Sequence, residues 1–275
     1  MLGQHPELYG FPELLLLTKR TIGEILDGDH DLDAAWRLHH QAGLVRAVAE
    51  VVIGERAGKD AIAQAREWLE RHRGWPTVAV FDLLQEKVNP RVAVEKTPET
   101  SSSETPIFRS LIAYPRARFI HLVRHPVSTI RSMCEHWRTR DWIANRGPLE
   151  VTCAATWYAS HRRLLRILSE FASERTLRVK AEAVLNDPER ELPRIAQWLD
   201  LATDDEAIEA MLHPEHSPYA RFGPPEAPGG HDPKFLRNPI PRPVAVPGSI
   251  EFPAQWQIGS QATAAIAELA GELGY

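Results

Sequence analysis

Along the first third of the chain, apolar residues recur at helical spacing. Pro12-Glu13 predicts a helix start, with proline in the first turn, running to about Leu26. From Asp31 to Val52, Leu32, Trp36, Leu44, Val48 and Val51 share one helical stripe. Asp60 to Arg71 forms a third amphipathic pattern anchored by Ile62, Trp68 and Leu69, and Val78 to Val88 a fourth. No obvious chemistry sits on these helices, so residues 14–88 read as a helical cap over a sheet.

The pattern then changes. Arg91 to Glu95, Phe119 to Val123 and Thr176 to Val179 are short apolar runs of strand length. Helical patterns at Thr105–Ala113, Val127–Trp137, Val151–Phe171 and Pro188–Leu199 separate or follow them. Strands alternating with helices predict an α/β fold with a central parallel sheet covered on both faces, the sheet core spanning 89–200. Residues 214–253 hold half of the chain's 22 prolines, which predicts a long irregular loop. A last helix runs from about Gln261 to Leu273. The expectation is a single domain over 1–275.

Composition adds limits. With 275 residues, 43% hydrophobic and 25% charged, the chain matches a globular protein with a sizeable core. A net charge of −5 gives no support to nucleic-acid binding. Cys134 and Cys153, the only cysteines, offer no disulfide framework and point to a reducing, cytoplasmic setting. The longest apolar run, Leu14 to Leu17, is too short to span a membrane, so no membrane partner is expected.

The most informative stretch is Arg118 to Ser132. It reads as a buried strand, a turn and a helix start, with Arg124 at the strand end and Ser132 eight residues later. Ligands of open α/β sheets bind at this carboxyl edge. Pro126 fits the first helical turn, whose amides and dipole favour an anion. Arg124 can fork onto two phosphate oxygens, and the Ser132 hydroxyl can donate one more bond. The plainer alternative is a strand–helix junction with a surface arginine.

This stretch resembles the segment of sulfotransferases dependent on 3′-phosphoadenosine 5′-phosphosulfate (PAPS) that binds the 3′-phosphate of the cofactor. An arginine and a serine with this spacing make the two contacts in that family, matching Arg124 and Ser132. Other stretches resemble bacterial and carbohydrate sulfotransferases in the same order: His5-Pro6-Glu7-Leu8 with Pro12-Glu13-Leu14, Glu95-Lys96-Thr97-Pro98, and Gly230 to Phe235. Trp157 matches a family tryptophan, whereas His161 stands where the family has asparagine. Glu182 and Asp187-Pro188 sit where the family has a tyrosine-glutamate-aspartate strand end followed by Asp-Pro, but Ala181 and Ala183 replace the tyrosine and the aspartate. The resemblance implies a P-loop-type three-layer sandwich.

Family members open with a strand and a Gly-x-Pro-Arg-Ser-Gly-Thr-Thr-like loop that cradles the 5′-phosphosulfate. Nothing like it occurs here. The resemblance implies an N-terminally truncated sulfotransferase, from a misplaced start or as a natural remnant, nearly inactive as it stands. Its parent activity is transfer of a sulfuryl group from PAPS to a hydroxyl or amine of a small-molecule or carbohydrate acceptor. A noncatalytic remnant that binds the desulfated nucleotide or scaffolds a partner is one alternative, and a small-molecule kinase of related fold is another. Acceptor identity and oligomeric state are left open.

Sulfuryl transfer, like phosphoryl transfer, needs positioning and charge stabilisation, which lysines and backbone amides can supply without a metal. Glu13 matches a glutamate that takes the acceptor's proton in related carbohydrate sulfotransferases; alternatively it complements a helix dipole. Lys96 is placed to bind acceptor or stabilise the sulfuryl centre, or else is a solvated lysine paired with Glu95 or Glu99. His213 and His216, three apart, give too few ligands for a metal site, and none is expected. His231 is a candidate on the acceptor side; His39, His40, Trp36, Trp137, Trp142, Trp157 and Trp198 are expected to pack.

Overall fold

The computed structural model describes residues 1–28, 34–54, 58–138 and 147–275. In chain order its elements are β1 (Leu8–Gly10), α1 (Ile22–Asp27), α2 (Ala34–Val48), α3 (Lys59–Arg71), α4 (Thr77–Val88), β2 (Val92–Val94) and α5 (Glu104–Ala113). There follow β3 (Phe119–Val123), α6 (Pro126–Trp137), α7 (Leu149–Phe171), β4 (Thr176–Lys180), α8 (Ala181–Asn186), α9 (Pro188–Trp198), α10 (Asp205–Leu212), α11 (Pro233–Arg237) and α12 (Ser260–Leu273). Between α10 and α12 the only α-helix among the described residues is α11, in keeping with a proline content that removes amide donors. Leu32 and Trp142 lie outside the described residues, as does the side chain of Trp36.

The described strands form two parallel pairs, β1 with β2 and β3 with β4. β1 aligns Leu8 with Val92 and Gly10 with Val94; β3 aligns Phe119 with Thr176 and Val123 with Lys180. The chain divides into two units, one of residues 1–100 and 188–242, the other of 101–187 and 243–275.

In the first unit, Leu14, Leu16, Ile22, Leu44, Ile62, Leu69 and Leu84 are fully buried. Burying such a side chain contributes about 1.5–3 kcal/mol relative to leaving it exposed. Two polar anchors sit within it. The Tyr9 and Tyr219 hydroxyls bond at 2.9 Å, and buried Arg46 donates to the carbonyls of Gly229 and Pro218 at 2.9 and 3.1 Å.

The expected helix from Pro12 to Leu26 is not formed; only its end, α1, is helical. Residues 11–15 are instead irregular, because their amides find partners elsewhere. Glu13 N–H donates to the Gly230 carbonyl at 2.8 Å, Leu14 N–H to Glu95 Oε1 at 3.4 Å and Leu15 N–H to Thr97 Oγ1 at 3.3 Å. Leu15 takes a φ of 60°, incompatible with a continuing helix. Strand β1, just upstream, also escapes the sequence reading, being three residues long.

In the second unit, the buried stripe of α6 (Val127, Ile130, Cys134) packs with Val123 of β3, Cys153, Ala154 and Trp157 of α7, and Ile266, Leu269, Ala270 and Leu273 of α12. Trp157 is core, as expected, and Trp137 packs partly buried against the same cluster. Cys134 and Cys153 are both buried free thiols. No helix of the described residues is long and apolar enough to cross a membrane.

Candidate functional sites

In the second unit, β3 delivers Arg124 just beyond its last residue, buried Val123. His125 is the residue before α6, Pro126 the first residue in it, and Ser132 lies two turns in, half-buried. Arg124 Nε is buried without a hydrogen-bond partner among the described residues, and so is Nδ1 of the buried His125 ring. Unpaired buried donors are costly unless a ligand or water satisfies them. Burial pushes the His125 imidazole down from its ordinary value, with the Glu182 carboxylate opposing, so it is neutral at neutral pH.

The helix end is not left wholly to a ligand. His125 N–H donates to Glu182 Oε1 at 2.8 Å, so this buried carboxylate already takes one amide there. The Tyr275 hydroxyl donates to the other oxygen, Glu182 Oε2, at 2.7 Å. Thr129 Oγ1 donates to the His125 carbonyl at 3.0 Å, tightening the first turn. A cavity of about 510 Å³ opens beside the turn, lined among others by His125, Lys180, Ser249, Glu251 and Tyr275.

In the first unit, the Lys96 ammonium contacts Glu13 Oε1. The charge of Lys96 also acts on Glu95 and Glu99, the two partners the sequence offers for it. Gly43 of α2 permits the approach of the Glu13 segment: a Cβ there would stand 2.0 Å from the Glu13 carbonyl oxygen. Burial raises the Glu13 carboxyl above the usual range, Lys96 pulls it back, and Glu99 adds to the rise. Since residues 11–15 are not helical, the reading of Glu13 as a helix-dipole partner falls.

Glu95, which the sequence offers only as a partner for Lys96, is the most perturbed carboxyl here. Burial pushes it up to about 7, against the Thr97 hydroxyl and Leu14 N–H that bond it. Glu99 is also raised by burial, and His40 Nε2 lies 3.6 Å from its Oε1. The His231 imidazole is pushed down to about 3 by burial, then by Lys96 and Arg46. Carboxyls raised toward neutrality beside a lysine suit proton transfer at physiological pH. The signal available beforehand was only the placement of Glu95 at a strand end beside Lys96. Neither Glu182 as a cap nor Tyr275 was legible, because their partners are distant in sequence.

Elsewhere in this unit the structure brings Glu215 to His213 and His216, the ligand atoms lying within 4.8 Å of one another. The His213 ring bonds Glu215 at 2.8 Å and Glu209 at 3.1 Å, and these carboxylates raise its pKa. That is the pattern of an imidazolium held between two acids.

The family model described as "Sulfotransferase family" matches residues 1–205. The chain belongs to the sulfotransferase family. Among solved structures, the sulfotransferase domain from the curacin biosynthetic pathway matches with a TM-score of 0.76 at 22% identity, over 100% of this chain and 91% of that one. The sulfotransferase domain from the Synechococcus PCC 7002 olefin synthase gives 0.69 at 24% identity, over 98% and 87%. These likenesses show the P-loop-like α/β fold. No curated protein sequence matches the chain.

Proposed function

We propose that this sulfotransferase takes its sulfuryl group from PAPS and passes it to a hydroxyl or amine of a small-molecule or carbohydrate acceptor. The observation that carries the donor assignment is the buried, unpartnered Nε of Arg124, at the end of a parallel strand and beside the start of a helix. Arg124 and Ser132 hold the 3′-phosphate: the guanidinium supplies charge-assisted bonds and the serine a neutral one. PAPS supplies an activated sulfuryl group on a phosphate leaving group.

Glu13 is the general base, accepting the proton of the acceptor's O–H or N–H. Its burial supports this role, because a carboxyl raised from its ordinary value is a better proton acceptor. Lys96 keeps that carboxylate ionised and offers positive charge to the sulfuryl oxygens. Reduced, buried cysteines fit a cytoplasmic location.

The test is calorimetry with adenosine 3′,5′-bisphosphate against adenosine 5′-monophosphate, on wild type and Arg124→Ala. The 3′-phosphate should strengthen binding at least about tenfold, and Arg124→Ala should remove most of the difference. Equal affinity for both nucleotides, or a preference for ATP with Mg²⁺, would overturn the assignment and favour a kinase.

A further inference from the structure

We propose that Tyr275 is a positioning residue of the phosphate site, acting on Arg124 through Glu182 and the backbone of His125; the inference rests on the 3′-phosphate reading of Arg124. The direction in which Arg124 leaves the sheet is set by the short backbone run between Val123 and Pro126. Val123 is fixed by its register with Lys180 on β4. Pro126 fixes its own φ as the first residue of α6. Between them, Thr129 of α6 holds the Arg124 and His125 carbonyls, and among the described residues the one side chain from outside α6 that bonds this run is Glu182, whose Oε1 accepts from His125 N–H at 2.8 Å.

That tether is only as firm as the carboxylate that accepts it. Glu182 is 3% exposed, so water has little room to hold its second oxygen. The Tyr275 hydroxyl does so instead, at 2.7 Å. With both oxygens bonded, rotation of the carboxylate would break a bond at each end. Burial and the adjacent Glu182 raise the Tyr275 hydroxyl above its ordinary range, so it remains a donor throughout the physiological range.

Tyr275 is itself held on several sides. Gly274, at a φ of +97°, reverses the chain after α12, and Tyr275 N–H returns to the Ala270 carbonyl at 2.9 Å. Lys180 Nζ bonds the Gly274 carbonyl and lies 4.8 Å from the centre of the Tyr275 ring. The His125 ring meets the tyrosine edge-on at 5.3 Å. Leu269, Ala270 and Leu273 root the helix in the core shared with Val123, Val127 and Ile130. The hydroxyl therefore reaches Glu182 from a fixed point, and the chain runs from the α12 core through Tyr275 and Glu182 to the peptide next to Arg124.

The experiment compares Tyr275→Phe, Ile107→Ala, Arg124→Ala and the double variant Tyr275→Phe/Arg124→Ala. Each is titrated with adenosine 3′,5′-bisphosphate and melted. Tyr275→Phe should weaken binding about 3- to 10-fold, the worth of one hydrogen bond. In the Arg124→Ala background it should change nothing further. Ile107→Ala, in the separate core between α5 and the end of α7, should lower the melting temperature at least as much while leaving affinity near wild type. Amide exchange at His125, followed by NMR, should speed up in Tyr275→Phe and not in Ile107→Ala. If Tyr275→Phe does not fold, Glu182→Gln replaces it: its amide cannot accept from the tyrosine through the nitrogen as a carboxylate oxygen does, and the same readouts apply. Wild-type affinity in Tyr275→Phe, with Arg124→Ala impaired, overturns the positioning role alone. Equal losses in Tyr275→Phe and Ile107→Ala also overturn it, leaving a structural role. Wild-type affinity in Arg124→Ala overturns the phosphate reading beneath it.

Discussion

Lys96 reaches Glu13 across 83 residues of sequence, its ammonium against the carboxylate Oε1. The glutamate is largely shielded and the lysine half-exposed, at 22% and 55% side-chain exposure. Burial raises the Glu13 pKa while Lys96 lowers it, so the pair sets the ionisation of the proposed base. Lys96→Met should raise the Glu13 pKa further. Carbon-detected NMR titration of the labelled glutamate carboxyls reads this directly; an unchanged Glu13 titration would remove the lysine from the argument. Glu13→Gln should slow PAPS-dependent transfer by about 10²- to 10⁴-fold relative to wild type while leaving nucleotide affinity unchanged.

Glu95 makes a prediction of opposite character, about stability. Its folded pKa is raised to about 7 from 4.5. Between those values the folded state holds the proton more tightly than the unfolded state, so stability falls as pH rises through the window and then levels. Glu95→Gln removes that loss while keeping an oxygen for Thr97 and Leu14 N–H. Urea denaturation should show the variant more stable than wild type at pH 8, by up to about 3 kcal/mol, with the gap closing near pH 4.5. A variant less stable at pH 8 would mean that Glu95 stays ionised and well bonded when folded.

The strand–turn–helix from Phe119 to Trp137 is legible in the sequence because its periods switch from strand to helix and Pro126 marks the joint. The helices α3 to α7 are legible for the same reason, their apolar stripes being intact. The segment at Pro12 is not. Pro-Glu before four leucines scores as a helix on local propensity, but the amides of Glu13, Leu14 and Leu15 are claimed by Gly230, Glu95 and Thr97. Local preference of a few tenths of a kcal/mol per residue yields to such tertiary bonds. The same limit hid the most perturbed groups. Glu95 is an ordinary acid in sequence, and only folding buries it.

The two histidines His121, on β3, and His161, on α7, bond to each other at 2.8 Å, Nε2 to Nδ1. Burial pushes them down to about 3 and about 4, His121 also feeling His161 and Arg178. Each is therefore neutral when folded and takes a proton near pH 6.5 when unfolded. Here the unfolded state binds more protons below pH 6.5, so stability falls as pH drops from 6.5 toward 4. The loss between pH 7 and pH 5 should be about 4 kcal/mol, shared about equally by the two rings. His161→Asn, which retains hydrogen-bonding capacity and cannot protonate, should remove about half of this loss in urea titrations at the two pH values. An equally steep slope in the variant would place the acid sensitivity elsewhere.

Arg124 and Ser132, the residues proposed for the 3′-phosphate, differ in what each can offer it, and the difference is measurable. The guanidinium is planar, always charged and able to present two parallel donors, whereas the serine offers a single neutral bond. Ser132→Ala should weaken binding of adenosine 3′,5′-bisphosphate by about 0.5–1.5 kcal/mol, and Arg124→Ala by about 1.5–3 kcal/mol. Arg124→Lys separates charge from geometry. Lysine keeps the charge but offers a point donor on a flexible stem, so it should recover only part of the affinity lost in Arg124→Ala. Ionic strength gives the control: raising salt should weaken binding by wild type and Arg124→Lys more than by Arg124→Ala, since only the first two carry the charge. Full recovery by lysine would mean that the phosphate feels charge alone. In that case the buried Nε of Arg124 would not be one of its donors.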